Sequence, residues 1–482
     1  MAKWITHSKT LDKKQHTIVV AQDAEEALAH IDQADEYSYA KNRLEQGATC
    51  VVVNQFSRLL VLVVFKELPT DPSNRLERFR RAGFDVWQVL NNERASQIQI
   101  TTTAAQIADM LAVAEGLALS TYMFDKYKST PTPRLEWQLT LVAEGLAKEA
   151  VKELNNVVEA TFLARDLVNE PVVYLTAEQL AAEAEKVGKK AGFKVKVFDK
   201  AKITELNMQG LLTVNLGSID PPAFIVLEHK PKEATNKHPI VLVGKGVVFD
   251  TGGLSLKSTA NSMDKMKSDM AGAAAVIGAF QAIAQAELPV YVVGLIPATD
   301  NRPGERAITP GDVITMMNGK TVEILNTDAE GRLILADALC YAETEYKPLC
   351  VIDLATLTGA AAAAFGREAC VMMGTANEAL KTQIKQAGQA VFERIVEFPL
   401  WEEYNEHIRS DVADIKNIGN AGEAGAIAGG KFLEQFVQSP WVHLDIAGTT
   451  FLSSPNRYKG RGATGWGVRL LYHFLKMQIS KD

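Results

Sequence analysis

The sequence predicts an α/β protein in two parts: a smaller N-terminal α/β domain over residues 1–155 and a larger domain over 168–482. The larger part is expected to hold a mostly parallel central sheet covered by helices. Three observations carry this. At 482 residues the chain is longer than one ordinary core accommodates. From Tyr174 onward, helical patterns alternate with short apolar runs, the order that builds parallel sheets. Those runs are apolar at consecutive positions, which marks strands buried on both faces.

Taken in chain order, Thr17–Val20 and Leu59–Phe65 read as strands. Residues 104–123 read as a helix with Ile107, Met110, Leu111, Val113 and Leu117 on its apolar side. No chemistry-bearing cluster falls in this part. Residues 139–167, rich in Ala, Leu, Val and Glu, read as a helix or helix pair linking the domains. Asn169-Glu170-Pro171 stops it, because proline restricts the residue before it and lacks an amide hydrogen. Glu178–Ala191 then reads as a helix and Val195–Phe198 as a short strand. Ala223–Leu227, Ile240–Val243, Val290–Leu295 and Cys350–Leu354 read as buried strands, with helices over 270–284 and 333–342 between them. Ligands of such sheets bind beyond the carboxyl ends of the strands.

Composition bounds the function. Hydrophobic residues at 47% and charged residues at 23% are those of a soluble globular protein. A formal net charge of −7 gives no reason to expect nucleic acid as a partner. Cys50, Cys340, Cys350 and Cys370 are irregularly spaced without a CxxC pair, so buried free thiols are expected. The N-terminus has no apolar stretch after its charges, and no run approaches 18 clean apolar residues. The expectation is a cytoplasmic protein without a membrane span.

Two clusters carry chemistry. Downstream, Asn326-Thr-Asp-Ala-Glu-Gly-Arg-Leu333 places Asp328, Glu330 and Arg332 at alternate positions just ahead of a helical run. Upstream, Lys245, Asp250 and Lys257 are followed by Asp269, and the first three lie in a glycine-rich segment after a strand. Asp250, Asp269, Asp328 and Glu330 supply enough oxygen for two divalent ions, since bridging carboxylates offset the repulsion between cations. The competing reading is that each carboxylate caps a turn or a helix. Lys245, between Gly244 and Gly246, is open to two readings, a salt-bridge partner or, when deprotonated, a metal ligand; composition favours the first. Lys257 could stabilise a forming oxyanion. Arg332, with the Thr356-Leu-Thr-Gly359 turn, could hold an anion. None of the eight histidines falls in either cluster, and His443 reads as a core or supporting group. The patterns HExxH, GxSxG and GxxxxGK[ST] are absent.

These residues resemble the cytosolic leucyl aminopeptidase family, also called M17. The octapeptide 326–333 looks like its signature, and Val243–Gly246, Phe249–Gly253, Ala355–Gly359, Trp441–Gly448, Ala164–Pro171 and Gly465–Arg469 match its pattern. The resemblance implies a macrodomain-like N-terminal domain, a homohexamer built as a dimer of trimers, and hydrolysis of peptides with a free N-terminus. It implies a tight metal site of Lys245, Asp250, Asp269 and Glu330. A more exchangeable one would use Asp250, Asp328 and Glu330. The ions would be Zn²⁺ or Mn²⁺, with Co²⁺ or Mg²⁺ as alternatives. It assigns Lys257 to the scissile carbonyl and Arg332 to a bicarbonate near Leu357 that serves as general base. Met266, Thr356, Gly359 and Ala447 would line the first-residue pocket, with Thr450 where some members carry methionine. The connection from Lys257 to Asp269 is one residue longer than in well-known patterns and is expected to leave Asp269 on its helix. The rival classes are another two-metal hydrolase, such as a phosphoesterase, and a DNA-binding regulator.

Overall fold

A computed structural model describes residues 4–132 and 136–479. The chain divides into two compact units, Met1–Glu159 with Pro455–Gly460, and Ala160–Ser454 with Arg461–Asp482.

The N-terminal unit is built on a six-stranded sheet. Its spatial order is Ile5–Ser8, Gln138–Val142, Gln97–Thr101, His16–Ala21, Leu59–Val64 and Cys50–Asn54. All neighbours are parallel except the last two, which form a hairpin. The helices Pro72–Asn92 and Ile107–Ser120 pack backbone to backbone. A Cβ on Gly116 would stand 1.9 Å from the Arg80 carbonyl, so only glycine fits there.

One expectation fails in this region. Residues 138–142 are not helical: Gln138–Val142 is a strand, and the linking helix is Lys148–Asn169. The segment pairs with parallel strands on both sides, and its alternation of Leu139 and Leu141 with β-branched Thr140 and Val142 suits that place. The helix does end at Asn169, two residues before Pro171.

The larger unit holds a mixed, largely parallel sheet. Its order is Arg394–Glu397, Ala369–Met373, Trp441–Asp445, Cys350–Ala355, Ile240–Gly244, Val292–Asn301, Ala223–His229 and Lys194–Phe198. The strand Gly246–Asp250 also pairs, in parallel, with Val292–Asn301. From Trp441–Asp445 to Val292–Asn301 every neighbour is parallel; the antiparallel pairs lie toward the margins. Alternation assigns the two faces. Val241, Val243, Val293, Leu295 and Val351 share one core with the helix Gly331–Tyr346. Gly294, on the other face, meets Phe280 and Val276 of the helix Ala271–Gln285. A small sheet of Asp312–Thr315, Thr321–Ile324 and Ile415–Lys416 delivers the chain into residues 325–330. Among the described residues no helix is long and apolar enough to cross a membrane.

Candidate metal centre

The parallel strands end together, and the two acidic clusters meet beyond their carboxyl ends. Lys245 directly follows Ile240–Gly244, and Asp250 closes Gly246–Asp250. Asp269 lies between the 3-10 segment Met263–Ser268 and the helix Ala271–Gln285, so it precedes that helix and is not on it. Asp328 and Glu330 sit in the connection that enters Gly331–Tyr346. The capping alternative holds for none of Asp269, Asp328 and Glu330, because neither helix has a side-chain cap bond. Asp250 does brace a turn, accepting the Gly252 amide on Oδ1 at 2.8 Å. Its Oδ2 remains for the cluster.

One oxygen from each of Asp250, Asp328 and Glu330 lies within 4.8 Å of the others. Lys245 Nζ ties Asp269 to this group, 2.8 Å from Asp269 Oδ2 and 2.9 Å from Glu330 Oε1. Lys257 Nζ is 2.7 Å from Asp250 Oδ2 and also pairs with Asp328. Thr356 donates its hydroxyl to Asp269 Oδ1 at 2.7 Å. Glycine makes this packing possible: a Cβ on Gly331 would lie 2.4 Å from Lys245 Cε. Lys245 thus stands as an ion-pair partner of Asp269 and Glu330.

The electrostatics are those of a crowded site. Burial and then the neighbouring Asp250 push Asp328 up to about 7, while Lys257 opposes the shift. Burial, reinforced by Glu330 and Asp250, holds Asp269 well above the usual carboxylate range despite Lys245. Burial works against the charge on Lys245, but Asp269, Glu330 and Asp250 outweigh it and raise its pKa. Lys257 is raised in the same way, with Asp250 as the chief partner. Four carboxylates share two ammonium groups, and their mutual repulsion adds to burial in raising Asp269 and Asp328. Asp269 Oδ2 and Glu330 Oε1 are buried with the Lys245 ammonium 2.8 and 2.9 Å away and no counted hydrogen bond among the described residues. A divalent cation satisfies such oxygens, so the residues fit a metal.

A second feature adjoins the cluster. Arg332 is 5% exposed, yet its Nε and Nη1 have no hydrogen-bond partner among the described residues. Burial lowers its pKa to about 10 against the opposing pull of Glu330 and Asp445. Asp445 accepts from Leu357 N at 3.1 Å and Thr358 Oγ1 at 2.6 Å, which fixes the turn next to Arg332. A cavity of about 520 Å³ opens here, lined in part by Asp328, Arg332, Leu357, Gly359, Phe398 and Ile418. Met266, half-buried on Met263–Ser268, does not line it, nor do Thr356 and Ala447. Thr450 is buried.

Sequence reasoning missed several supporting side chains. Asn301 donates to Asp250 Oδ1 at 2.8 Å, and Asn417 donates to the Asn326 carbonyl at 2.7 Å. Their signal was weak: single amides beside strands, remote in sequence from what they hold. His443 is fully buried with Nδ1 2.6 Å from Asp353 Oδ1, in keeping with its reading as a core group.

Comparisons agree with this geometry. The family model of the cytosol aminopeptidase catalytic domain matches residues 162–472. A probable cytosol aminopeptidase of Chlorobaculum tepidum is 50% identical over 379 residues, 76% of this chain and 74% of the relative. One from Geobacter sulfurreducens is 41% identical over 464 residues, 94% of this chain and 91% of the relative. A mutant tomato leucine aminopeptidase superposes with a TM-score of 0.85 at 29% identity, covering 98% of this chain and 96% of the other. The bottromycin maturation enzyme BotP in complex with Mn superposes with a TM-score of 0.82 at 30% identity, covering 96% and 99%. With the family model spanning well over half the chain and the acidic clusters assembled, this protein belongs to the cytosol aminopeptidase family, M17, and is a metal-dependent aminopeptidase.

Proposed function

We propose that the protein works with two metal ions and releases N-terminal residues, preferably leucine-like, from peptides with a free α-amine. The observation that supports this most is the convergence of Asp250, Asp328 and Glu330 within 4.8 Å, with Lys245 joining Asp269 to them. In this reading Lys245, Asp250, Asp269 and Glu330 hold the tighter ion. Asp250, Glu330 and Asp328, the last through carboxylate and backbone carbonyl, hold the more exchangeable one. Zn²⁺ or Mn²⁺ suits these donors, with Co²⁺ or Mg²⁺ as alternatives, and the manganese complex of BotP supports Mn²⁺. When bound, such a pair supplies Lewis acidity toward the scissile carbonyl, an anchor for the substrate α-amine and a water nucleophile at neutral pH.

The chain's own groups do the rest. Lys257 would donate from Nζ to the carbonyl oxygen as it gains charge, and its low exposure of 14% strengthens that contact. Arg332 and the Leu357 turn would hold a bicarbonate, whose chemistry there is that of a general base. Nε and Nη1 of Arg332, buried without a hydrogen-bond partner among the described residues, support an anion at that place. Met266, Thr356, Gly359 and Ala447 would receive the first side chain, with Thr450 making the floor less apolar. An apolar pocket of this kind separates side chains by about 1–3 kcal/mol per methylene. A homohexamer and a cytoplasmic setting follow from the family, and the relatives' name, cytosol aminopeptidase, supports the latter.

The test is release of leucine from Leu-p-nitroanilide after chelation and after return of Mn²⁺ or Zn²⁺. Turnover should be restored by metal and absent with the N-acetylated substrate. Folded protein that turns over aryl phosphates but no peptide with any metal would overturn the reading in favour of a phosphoesterase.

A further inference from the structure

We propose that Asn301 is a positioning residue: it reserves one oxygen of Asp250 for metal and fixes the spacing between the two ligand-bearing segments. Asn301 ends the strand Val292–Asn301 and is 4% exposed. In the parallel register its partner is Asp250 itself. The side-chain amide of Asn301 donates from Nδ2 to Asp250 Oδ1 at 2.8 Å and to the Thr327 carbonyl at 3.0 Å. Both amide hydrogens are thereby used, one on each acidic segment. The Asn301 backbone carbonyl accepts from Thr251 N at 3.0 Å and Thr251 Oγ1 at 2.8 Å, so the residue itself is held on the same turn.

The consequence lies in the division of labour within one carboxylate. Asp250 Oδ1 receives two N–H donors, from Gly252 and Asn301. Oδ2 receives neither of these and instead faces the Lys257 ammonium at 2.7 Å. A carboxylate pinned by two donors on one oxygen does not rotate freely into two-oxygen chelation of a single ion. It presents the other oxygen, in a fixed direction, to the space shared with Asp328 and Glu330. The second bond, to Thr327, places the Asp328 loop relative to that oxygen. Groups that orient a ligand in this way commonly change metal affinity 10–100-fold when removed.

The experiment uses full-length protein stripped of metal. Wild type, Asn301→Leu, which keeps the branched outline without donors, and Asn301→Ser are titrated with Mn²⁺ by calorimetry. Thermal unfolding is recorded with and without Mn²⁺. The expected result is a Kd raised about 10–100-fold in Asn301→Leu, a smaller rise in Asn301→Ser, and a smaller Mn²⁺-induced gain in Tm for both. A variant that loses stability without metal yet binds Mn²⁺ as tightly as wild type overturns the inference, because a merely structural role gives that pattern. If Asn301→Leu does not fold, Asn301→Ser is judged by the same criterion. The inference rests on Asp250 being a metal ligand. Wild type that binds no Mn²⁺, or Asp250→Ala that binds it unchanged, overturns that reading as well, whereas normal binding by the Asn301 variants alone overturns only the inference.

Discussion

In the N-terminal unit, buried charge is matched. Arg80 Nε lies 2.6 Å from Glu115, Arg75 is 2.5 Å from Asp109, and Glu77 accepts from both Arg81 and Tyr458. In the larger unit, Asp250, Asp269, Asp328 and Glu330 crowd around two lysines, and two donors of Arg332 have no partner among the described residues. Both units rest on largely parallel sheets, so the sheet does not explain the difference. Buried charges that serve packing are paired because an unpaired one costs several kcal/mol. Buried charges left over, at the carboxyl ends of strands, mark the place where something else completes the set.

The comparison can be broken most severely at Glu330. Glu330→Gln keeps the shape and removes a ligand shared with Asp250 and Asp328. It should lower kcat/KM on Leu-p-nitroanilide by about a thousandfold or more, on the order of 4 kcal/mol. Its urea midpoint without metal should change little, since the lost pairing with Lys245 is offset by relief of the repulsion from Asp269. A variant retaining a tenth of wild-type activity at saturating Mn²⁺ would sink the assignment of that residue.

The opposite outcome is expected in the N-terminal unit. Glu115→Ala leaves the buried Arg80 without its 2.6 Å partner. It should cost about 3–5 kcal/mol in urea unfolding. The kcat of protein that remains folded should stay within about twofold of wild type. Loss of activity without loss of stability would show that the two units are not divided between packing and chemistry as described.

The smallest effect sharpens the rule within the larger unit. Asp337 lies outside the metal cluster and is fully buried, with Leu211 N donating to Oδ2 at 2.9 Å. Burial pushes its pKa up to about 7, against backbone donors that pull it down. A carboxyl with a raised folded pKa binds more protons folded than unfolded between about 4 and about 7. Its contribution to stability is therefore fully present below about pH 4 and declines as pH rises to about 7. Asp337→Asn should flatten that part of the pH–stability curve measured by urea unfolding. An unchanged slope would mean that the backbone donors keep Asp337 ionised throughout.

Much of the chemistry was legible in one dimension. The octapeptide 326–333 and the run 245–257 carry their ligands at short spacing, because a strand end or a tight turn gathers neighbours in sequence. Buried strands such as Ile240–Gly244 and Cys350–Ala355 were legible because burial on both faces demands an unbroken apolar run. Gln138–Val142 was misread for the complementary reason. It reads together with the Ala- and Glu-rich stretch that follows, and only its pairing with strands on either side separates it from the helix that begins at Lys148.

The sequence by itself thus determined which residue types are available to a metal and that an α/β sheet would carry them. Tertiary structure alone decided their company. It set Asp269 against Lys245, turned Asp250 Oδ2 toward Lys257 by engaging Oδ1 elsewhere, and placed Arg332, whose Nε and Nη1 have no hydrogen-bond partner among the described residues, beside the Leu357 turn. Asn301 and Asn417 belong to this second category. Their partners lie about fifty and ninety residues away, and a single amide acquires a role only when folding closes that distance.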